Sequence, residues 1–363
     1  MLYVEPGAAG ATKQMGVFQR SPGAQPQFLL AEVLPFLPAR IQRALLELSP
    51  EIQEAVEEIR LRRGRPAMIH YGHRDLVLVQ GGEPVVVGES DITRTLQQVG
   101  DSSLYAYEEE IRNGFLTMRG GHRVGLVGQA VLEGGRVKTL RHLSGLNIRI
   151  VREFPGVARP VLPHLLAFDR WGNGRVMNGL IISPPQAGKT TLLRDLTRLL
   201  SSGAESLGWN GVKVGLVDER SEVAACYQGV PQRDVGMRTD VIDACPKAEG
   251  IMMLLRSMSP AVVVVDEIGR REDVLAVEEA INGGVAVLAS AHGLGKDDLS
   301  RRPMLQGLLE TAVFDRIIIL SRRQGPGTLE TILDGQTGKP VPGFTAASPA
   351  PFTADFFPGR EKG

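Results

Sequence analysis

Nine consecutive residues, Ser183-Pro184-Pro185-Gln186-Ala187-Gly188-Lys189-Thr190-Thr191, carry the clearest chemistry in the chain. A short apolar run, Leu180-Ile181-Ile182, precedes them. An apolar stripe at helical spacing follows: Leu192, Leu193, Leu196, Leu199 and Leu200. A strand, a loop ending in Gly-Lys-Thr and a helix make the setting of a phosphate-binding P-loop. Backbone N–H groups of such a loop and of the helix start point at anionic oxygens. Lys189 is expected to reach the β- and γ-phosphates of ATP, and Thr190 to offer its hydroxyl to Mg²⁺. The loop departs from the usual pattern at Ser183, where the first glycine normally stands, and at Gln186. A Gly-Lys-Thr turn with no ligand is the alternative, and the flanking strand and helix argue against it.

A second run, Ala261 to Val265, ends in Asp266-Glu267. In a doubly wound sheet that carboxyl end lies beside the loop. Asp266 is expected to hold Mg²⁺ through its water shell, and Glu267 to orient the attacking water and draw off its proton. Solvated acids at a strand end are the rival reading. A further cluster, Asp218-Glu219-Arg220-Ser221-Glu222, closes the strand Lys213–Val217 at the equivalent edge. His292 follows the strand Val285–Ser290 and is placed to hydrogen-bond the γ-phosphate, although a lone histidine is more often structural. His70, His73, His122, His142 and His164 show no ligand spacing, and Cys226 and Cys245 form no CxxC, so no structural zinc is expected. Arginines that could neutralise transition-state charge are numerous: Arg238, Arg256, Arg270 and Arg271 near the loop half, Arg123, Arg141 and Arg149 before it.

These groups need a scaffold, and 363 residues suffice for two domains at roughly 100–200 residues each. Residues 1–27, rich in Gly, Ala, Pro and Gln, are expected to be a disordered tail, with Met15 as an alternative start. Residues 28–155 alternate short helices and strands: a helix from Ser49-Pro50-Glu51 toward Glu58, strands at Glu58–Arg62, Met68–Tyr71, Leu76–Val79 and Pro84–Val87, and a helix at Asp91–Gln98. Further strands are expected at Arg123–Val127 and Leu146–Val151, with a hairpin over Gln129–Leu140 turning at Gly134-Gly135. This is a smaller α+β domain, joined by a linker within Glu153–Pro163. Over residues 156–322 apolar strands alternate with longer helices: Gly179–Ile182, Lys213–Val217, Ala261–Val265, Val285–Ser290 and Arg316–Leu320. That pattern predicts a parallel sheet with crossover helices, the α/β P-loop NTPase fold. Residues 323–363 read as a short strand or two and a loose tail.

Composition narrows the function classes. Lys+Arg and Asp+Glu both total 41, hydrophobic residues make up 43% and aromatics 5%. Zero net charge, with no basic run interleaved with aromatics, argues against a nucleic-acid motor, and no nucleic-acid partner is expected. No apolar run reaches the ~18 residues of a membrane span, and the N-terminus lacks a signal-peptide pattern. Two cysteines are too few for a disulfide scaffold. A soluble cytoplasmic protein is the expectation.

The segments SPPQAGKTTLLRDL, LVDERSEVAACYQGVPQRDVGMRTDVIDACPKAEG and LLRSMSPAVVVVDEIGR, with the His292 strand, resemble the secretion ATPases of type II and type IV systems and pilus retraction motors, in their sporulation branch. SLYAYEEEIRNGF, GGHRVGLVG and SGLNIRI extend the likeness over residues 30–335. The resemblance implies a RecA/AAA-like parallel sheet with flanking helices. It maps Ser183–Thr190 onto Walker A and Asp266-Glu267 onto Walker B. Asp218, Glu219 and Glu222 fall on an acidic box written Glu-Asp-Pro-x-Glu, Arg256 on the arginine before the Walker B strand, and His292 on the histidine box. Arg149 is the candidate for an arginine of the N-terminal domain that reaches the phosphates. Asp266 stands where the family carries glycine. The resemblance further implies a Mg²⁺-dependent, ATP-hydrolysing homo-hexamer. It would power a membrane secretion or channel complex during endospore formation, from the mother-cell cytoplasm at the forespore membrane. A nucleic-acid translocase and a nucleotide-gated scaffold with little turnover are the alternatives.

Overall fold

The computed structural model describes residues 29–72, 74–100, 108–112, 114–301 and 303–342. The expected tail over residues 1–27 lies outside them, as does the end of the C-terminal extension.

The first half opens with three short helices, α1 (Leu29–Val33), α2 (Ala39–Leu46) and α3 (Pro50–Ala55). The third helix stops at Ala55, short of the expected Glu58, because the next strand starts at Val56. From there the apolar side chains alternate, so a helix would scatter Ile59 and Leu61, which the strand buries on one face. Strands β1 (Val56–Arg62), β2 (Met68–Tyr71) and β3 (Arg74–Val77) are followed by a two-residue pair, β4 (Val79–Gln80) with β5 (Glu83–Pro84). Helices α4 (Glu89–Val99) and α5 (Glu108–Arg112) come next. Then β6 (Phe115–Thr117), β7 (Arg123–Glu133) and β8 (Arg136–Arg149) complete an antiparallel sheet in the order β3-β2-β1-β8-β7-β6. The hairpin turns at Gly134-Gly135 as expected. Its return strand is continuous through Ser144-Gly145 and carries the irregularity itself: β7 runs from Val127 to Gln129 while β8 runs from Gly145 to Arg141, so the extra residues bulge on β8. Helices α2 and α4 cover one face, where Ile41, Leu45, Ile92 and Leu96 pack on Ile59, Ile69, Leu116, Val124 and Ile148.

A small hairpin, β9 (Leu166–Phe168) with β10 (Gly174–Val176), precedes the second sheet. In chain order that sheet comprises β11 (Gly179–Ser183), α6 (Lys189–Ser202), β12 (Val214–Asp218), β13 (Thr239–Asp243), α7 (Lys247–Ser257), β14 (Val262–Val265), α8 (Arg271–Asn282) and β15 (Ala286–His292). Two short helices, α9 (Lys296–Ser300) and α10 (Pro303–Glu310), lead to β16 (Arg316–Ser321) and β17 (Thr328–Asp334). The order is β13-β12-β14-β15-β11-β16-β17, parallel except for the antiparallel edge strand β17. All five expected strands are present. The edge strand β13, which carries Asp240 and Asp243, had no apolar signature to announce it. Central strands β11, β12 and β14 are buried along their whole length, as a sheet covered on both faces requires. On one face Leu193, Leu196 and Leu200 of α6 pack on Ile181, Leu216 and Val264. On the other, Ile251, Leu254 and Val277 of α7 and α8 pack on Val217, Val263 and Val265.

The segment between the sheets is tied down. The N–H groups of Gly156 and Ala158 donate to Asp195 Oδ2 at 2.9 and 2.8 Å. The sheets also meet directly: Gly120 N donates to Gln232 Oε1 at 2.9 Å, and Arg123 Nη1 to Glu222 Oε1 at 2.9 Å. Behind this contact Glu32 joins His122, 3.0 Å away, to Arg233 at 3.7 Å. Burial holds the His122 imidazole below its usual range, with Glu32 only partly opposing the shift.

Candidate functional site

Parallel strands deliver their carboxyl ends to one rim. The order β12-β14-β15-β11 sets Asp218, then Asp266-Glu267, then Ser290 and His292, then the loop after Ser183 side by side. Ser183 is register-paired with His292. The sequence separates these groups by up to about a hundred positions, and only the crossover topology brings them together.

The loop holds its shape despite both departures. Ser183 is the last residue of β11, in ordinary extended backbone, so glycine is not required there. Its Oγ donates to Pro184 O at 2.8 Å. Gln186 is left-handed at φ 59°, a conformation that costs a non-glycine residue ~1 kcal/mol. Gly188 is left-handed at φ 85° and opens α6. The turn between β16 and β17 braces the loop, with Gly327 N donating to Ala187 O at 2.9 Å.

Lys189 is the first residue of α6 and only 5% exposed. Its ammonium donates to Asp266 Oδ1, to Glu267 Oε1 at 3.2 Å and to Ser290 Oγ at 3.1 Å. Thr190 Oγ1 donates to Asp266 Oδ2 at 3.1 Å. Burial acts to raise the Asp266 carboxyl. The adjacent Lys189 charge, with bonds from Lys189, Ser290 and Thr190, outweighs it and holds the group below the usual carboxylate range. Ser290 accepts from Lys189 Nζ and Glu267 N and donates to Asp266, so its hydroxyl is fully used. The sequence marks Ser290 only as a strand end, and one hydroxyl closing an otherwise apolar run is its sole signal.

Glu267 is left-handed at φ 57°. His292 Nε2 lies 2.7 Å from its Oε1, and Arg220 Nη1 lies 2.9 Å from its Oε2. The other ring nitrogen of His292, Nδ1, is buried with no hydrogen-bond partner among the described residues.

The acidic cluster divides. Asp218 is 2% exposed and accepts from the N–H groups of Glu222, Val223 and Ala224 at 2.8–2.9 Å. Burial pushes its carboxyl up to about 6, against the pull of those bonds, and Asp243 and Asp266 add to the rise. Glu219 pairs with Lys247 Nζ and lies 4.0 Å from Arg270 Nη1, beside the Lys189 cluster and not in contact with it. Glu222 faces the first sheet through Arg123.

Two expected site residues lie elsewhere in this chain. Arg256 sits in the last turn of α7, which runs back across the sheet and feeds the start of β14, so it lies at the amino-end rim opposite the loop. Arg149 ends β8 in the first sheet and pairs with Glu58 Oε1 at 3.2 Å.

Residues 30–340 match the family described as "Sporulation stage III, protein AA". Stage III sporulation protein AA of Bacillus subtilis is 47% identical over 84% of this chain and 94% of its own length. The chain belongs to the sporulation stage III protein AA family. Its fold is that of P-loop NTPases, as in the ATPase DotB of Legionella pneumophila, with a TM-score of 0.51 at 16% identity over 78% of this chain and 76% of that one. DotB of Yersinia pseudotuberculosis gives a TM-score of 0.50 at 14% identity over 78% and 75%. The family assignment places the chain among sporulation proteins. Among the described residues of this family member no helix is long and apolar enough to cross a membrane.

Proposed function

We propose that the chain is a Mg²⁺-dependent ATPase whose homo-hexameric ring powers a membrane-associated secretion or channel apparatus during endospore formation. One observation carries this reading: the Lys189 ammonium and Thr190 hydroxyl converge with the Asp266 and Glu267 carboxylates over a single rim of the sheet. The two DotB structures are named ATPases, which supports it.

The residues fit a Mg²⁺–nucleotide pair. Thr190 Oγ1 and Asp266 Oδ2, 3.1 Å apart, are hard oxygen donors of the kind Mg²⁺ takes. The left-handed Gln186 and Gly188 give the loop the backbone of an anion-binding nest at the start of a 14-residue helix. When bound, Mg²⁺ would offset the charge that builds on the phosphate oxygens.

Lys189 exchanges its carboxylate partners for phosphate oxygens. Glu267 orients a water and takes its proton on a carboxylate oxygen as the water oxygen bonds to the terminal phosphorus. The bond to the bridging oxygen breaks, and ADP leaves with that electron pair. Ser290 keeps Asp266 and the Glu267 backbone in register throughout. His292 Nε2 steadies Oε1 of Glu267. Arg149, paired with Glu58, and Arg256, at the opposite rim, take no part in this step within one chain. Integral membrane proteins of the forespore are the proposed partners, reached from the mother-cell cytoplasm.

Turnover and nucleotide binding measured together test the reading. Lys189→Ala abolishes nucleotide binding, whereas Glu267→Gln keeps binding and loses most turnover. Wild-type turnover in Glu267→Gln would remove the role given to that carboxylate. Particle size with and without a non-hydrolysable ATP analogue tests the ring; a monomer under both conditions, idle in both, would overturn it.

A further inference from the structure

Arg220 stands where the acidic box of the resembling ATPases carries proline, and its guanidinium reaches across from the end of β12 to Glu267, Nη1 lying 2.9 Å from Oε2. Three cationic or histidine side chains hold the Glu267 carboxylate, and they differ in how freely they can leave. Lys189 is 5% exposed and His292 40%, but the Arg220 side chain is 61% exposed. The backbone on either side of Arg220 is pinned. Asp218 accepts the three N–H groups beyond it, and Ser221 Oγ donates to Asp243 Oδ1 at 2.6 Å. The arrangement is a fixed pivot with a solvent-exposed, permanently charged head. An Oε2 committed to a guanidinium has no free lone pair on that side for a water hydrogen. A guanidinium is also the side chain best matched to phosphate oxygens, through paired N–H donors.

We infer that Arg220 is a phosphate-sensing residue of the site: it holds Glu267 Oε2 until a nucleoside triphosphate supplies a terminal phosphate, then transfers its guanidinium to that phosphate and releases Oε2 to the attacking water. A nucleoside diphosphate offers no γ-phosphate and leaves the Arg220–Glu267 pair closed. The device thus distinguishes triphosphate from diphosphate within one chain. It rests on the nucleotide reading of the P-loop given above.

The test uses the full chain with Mg²⁺, comparing wild type with Arg220→Ala and Arg220→Lys. Dissociation constants are measured for ADP and for a non-hydrolysable ATP analogue, alongside kcat and thermal unfolding. For Arg220→Ala, analogue binding weakens by about tenfold or more, as loss of a charge-assisted phosphate contact entails, while ADP binding stays within about twofold. Turnover falls by at least about tenfold, and Arg220→Lys recovers part of both losses. An unchanged melting temperature accompanies these effects, because the side chain is largely exposed. Equal weakening toward both nucleotides, or unchanged analogue affinity with unchanged or raised kcat, overturns the inference and leaves the P-loop reading standing. A wild-type protein that binds neither nucleotide overturns both.

Discussion

The backbone N–H of Glu267 donates to Ser290 Oγ at 2.9 Å, and this bond anchors a residue that sits in left-handed backbone at φ 57°. The same hydroxyl accepts from Lys189 and donates to Asp266, so one small side chain on β15 sets three groups on two other elements. Ser290→Ala leaves the Glu267 N–H and one Lys189 proton without that partner in a buried place. Losing such bonds costs about 1–3 kcal/mol, and the Glu267 carboxylate loses its fixed placement. The expected result is a lowered urea midpoint together with at least about a tenfold fall in phosphate release. A variant as stable and as active as wild type would remove Ser290 from the site.

Lys189 and Asp266 stabilise each other as a buried pair. Because Asp266 is held below the ordinary carboxylate range, its contribution is present above the unfolded value and is lost as pH falls through the folded one. Lys189→Ala strands that carboxylate, at a cost of about 3–5 kcal/mol. Adding Asp266→Asn removes the stranded charge and restores most of the loss. Urea unfolding of the wild type, both single variants and the double variant gives the coupling energy. Simple addition of the two single losses would show that the pair does not interact.

Asp218 has the opposite sign. Its carboxyl is raised to about 6 in the fold from a reference of 3.8, so the folded protein binds the extra proton. Stability from this group is full below the unfolded value and declines as pH rises through about 6. Measured against Asp218→Asn, which does not titrate, the wild type gains about 1 kcal/mol on going from pH 7 to pH 5. Paired denaturant titrations at the two pH values check this. A pH-independent difference would show that the carboxyl is not raised.

Gly121 lies where the first sheet meets the second. Its φ is 73°, and an added Cβ would stand 2.7 Å from Ala225 Cβ and 3.0 Å from Ala225 O. Gly121→Ala therefore strains the turn and forces the sheets apart at the point held by Gly120 N and Gln232. A loss of about 1–3 kcal/mol is expected, with faster amide exchange at Ala224 and Ala225 than in wild type. Unchanged exchange there would mean that the junction does not depend on this close approach.

Local chemistry made much of this protein legible before any coordinates. Runs such as Leu180-Ile181-Ile182 and Val262 to Val265 mark central strands because only a sheet covered on both faces tolerates them. Gly188-Lys189-Thr190 marks a loop turning into a helix because glycine supplies the left-handed turn. The acids at Asp266 and Glu267 could be placed at the loop's rim from the direction of parallel strands alone. Tertiary structure decided the rest. Edge strand β13 escaped notice because an edge needs no apolar alternation, and α3 ended early because strand pairing at Val56 outweighed helical propensity. Ser290 closes an apolar run and Arg220 sits inside an acidic cluster, but neither setting says which groups the side chain meets. Their partners, Lys189, Asp266 and Glu267, lie 23 to 101 positions away. Such contacts depend on strand order and register, which crossover packing sets and which no stretch of local sequence specifies.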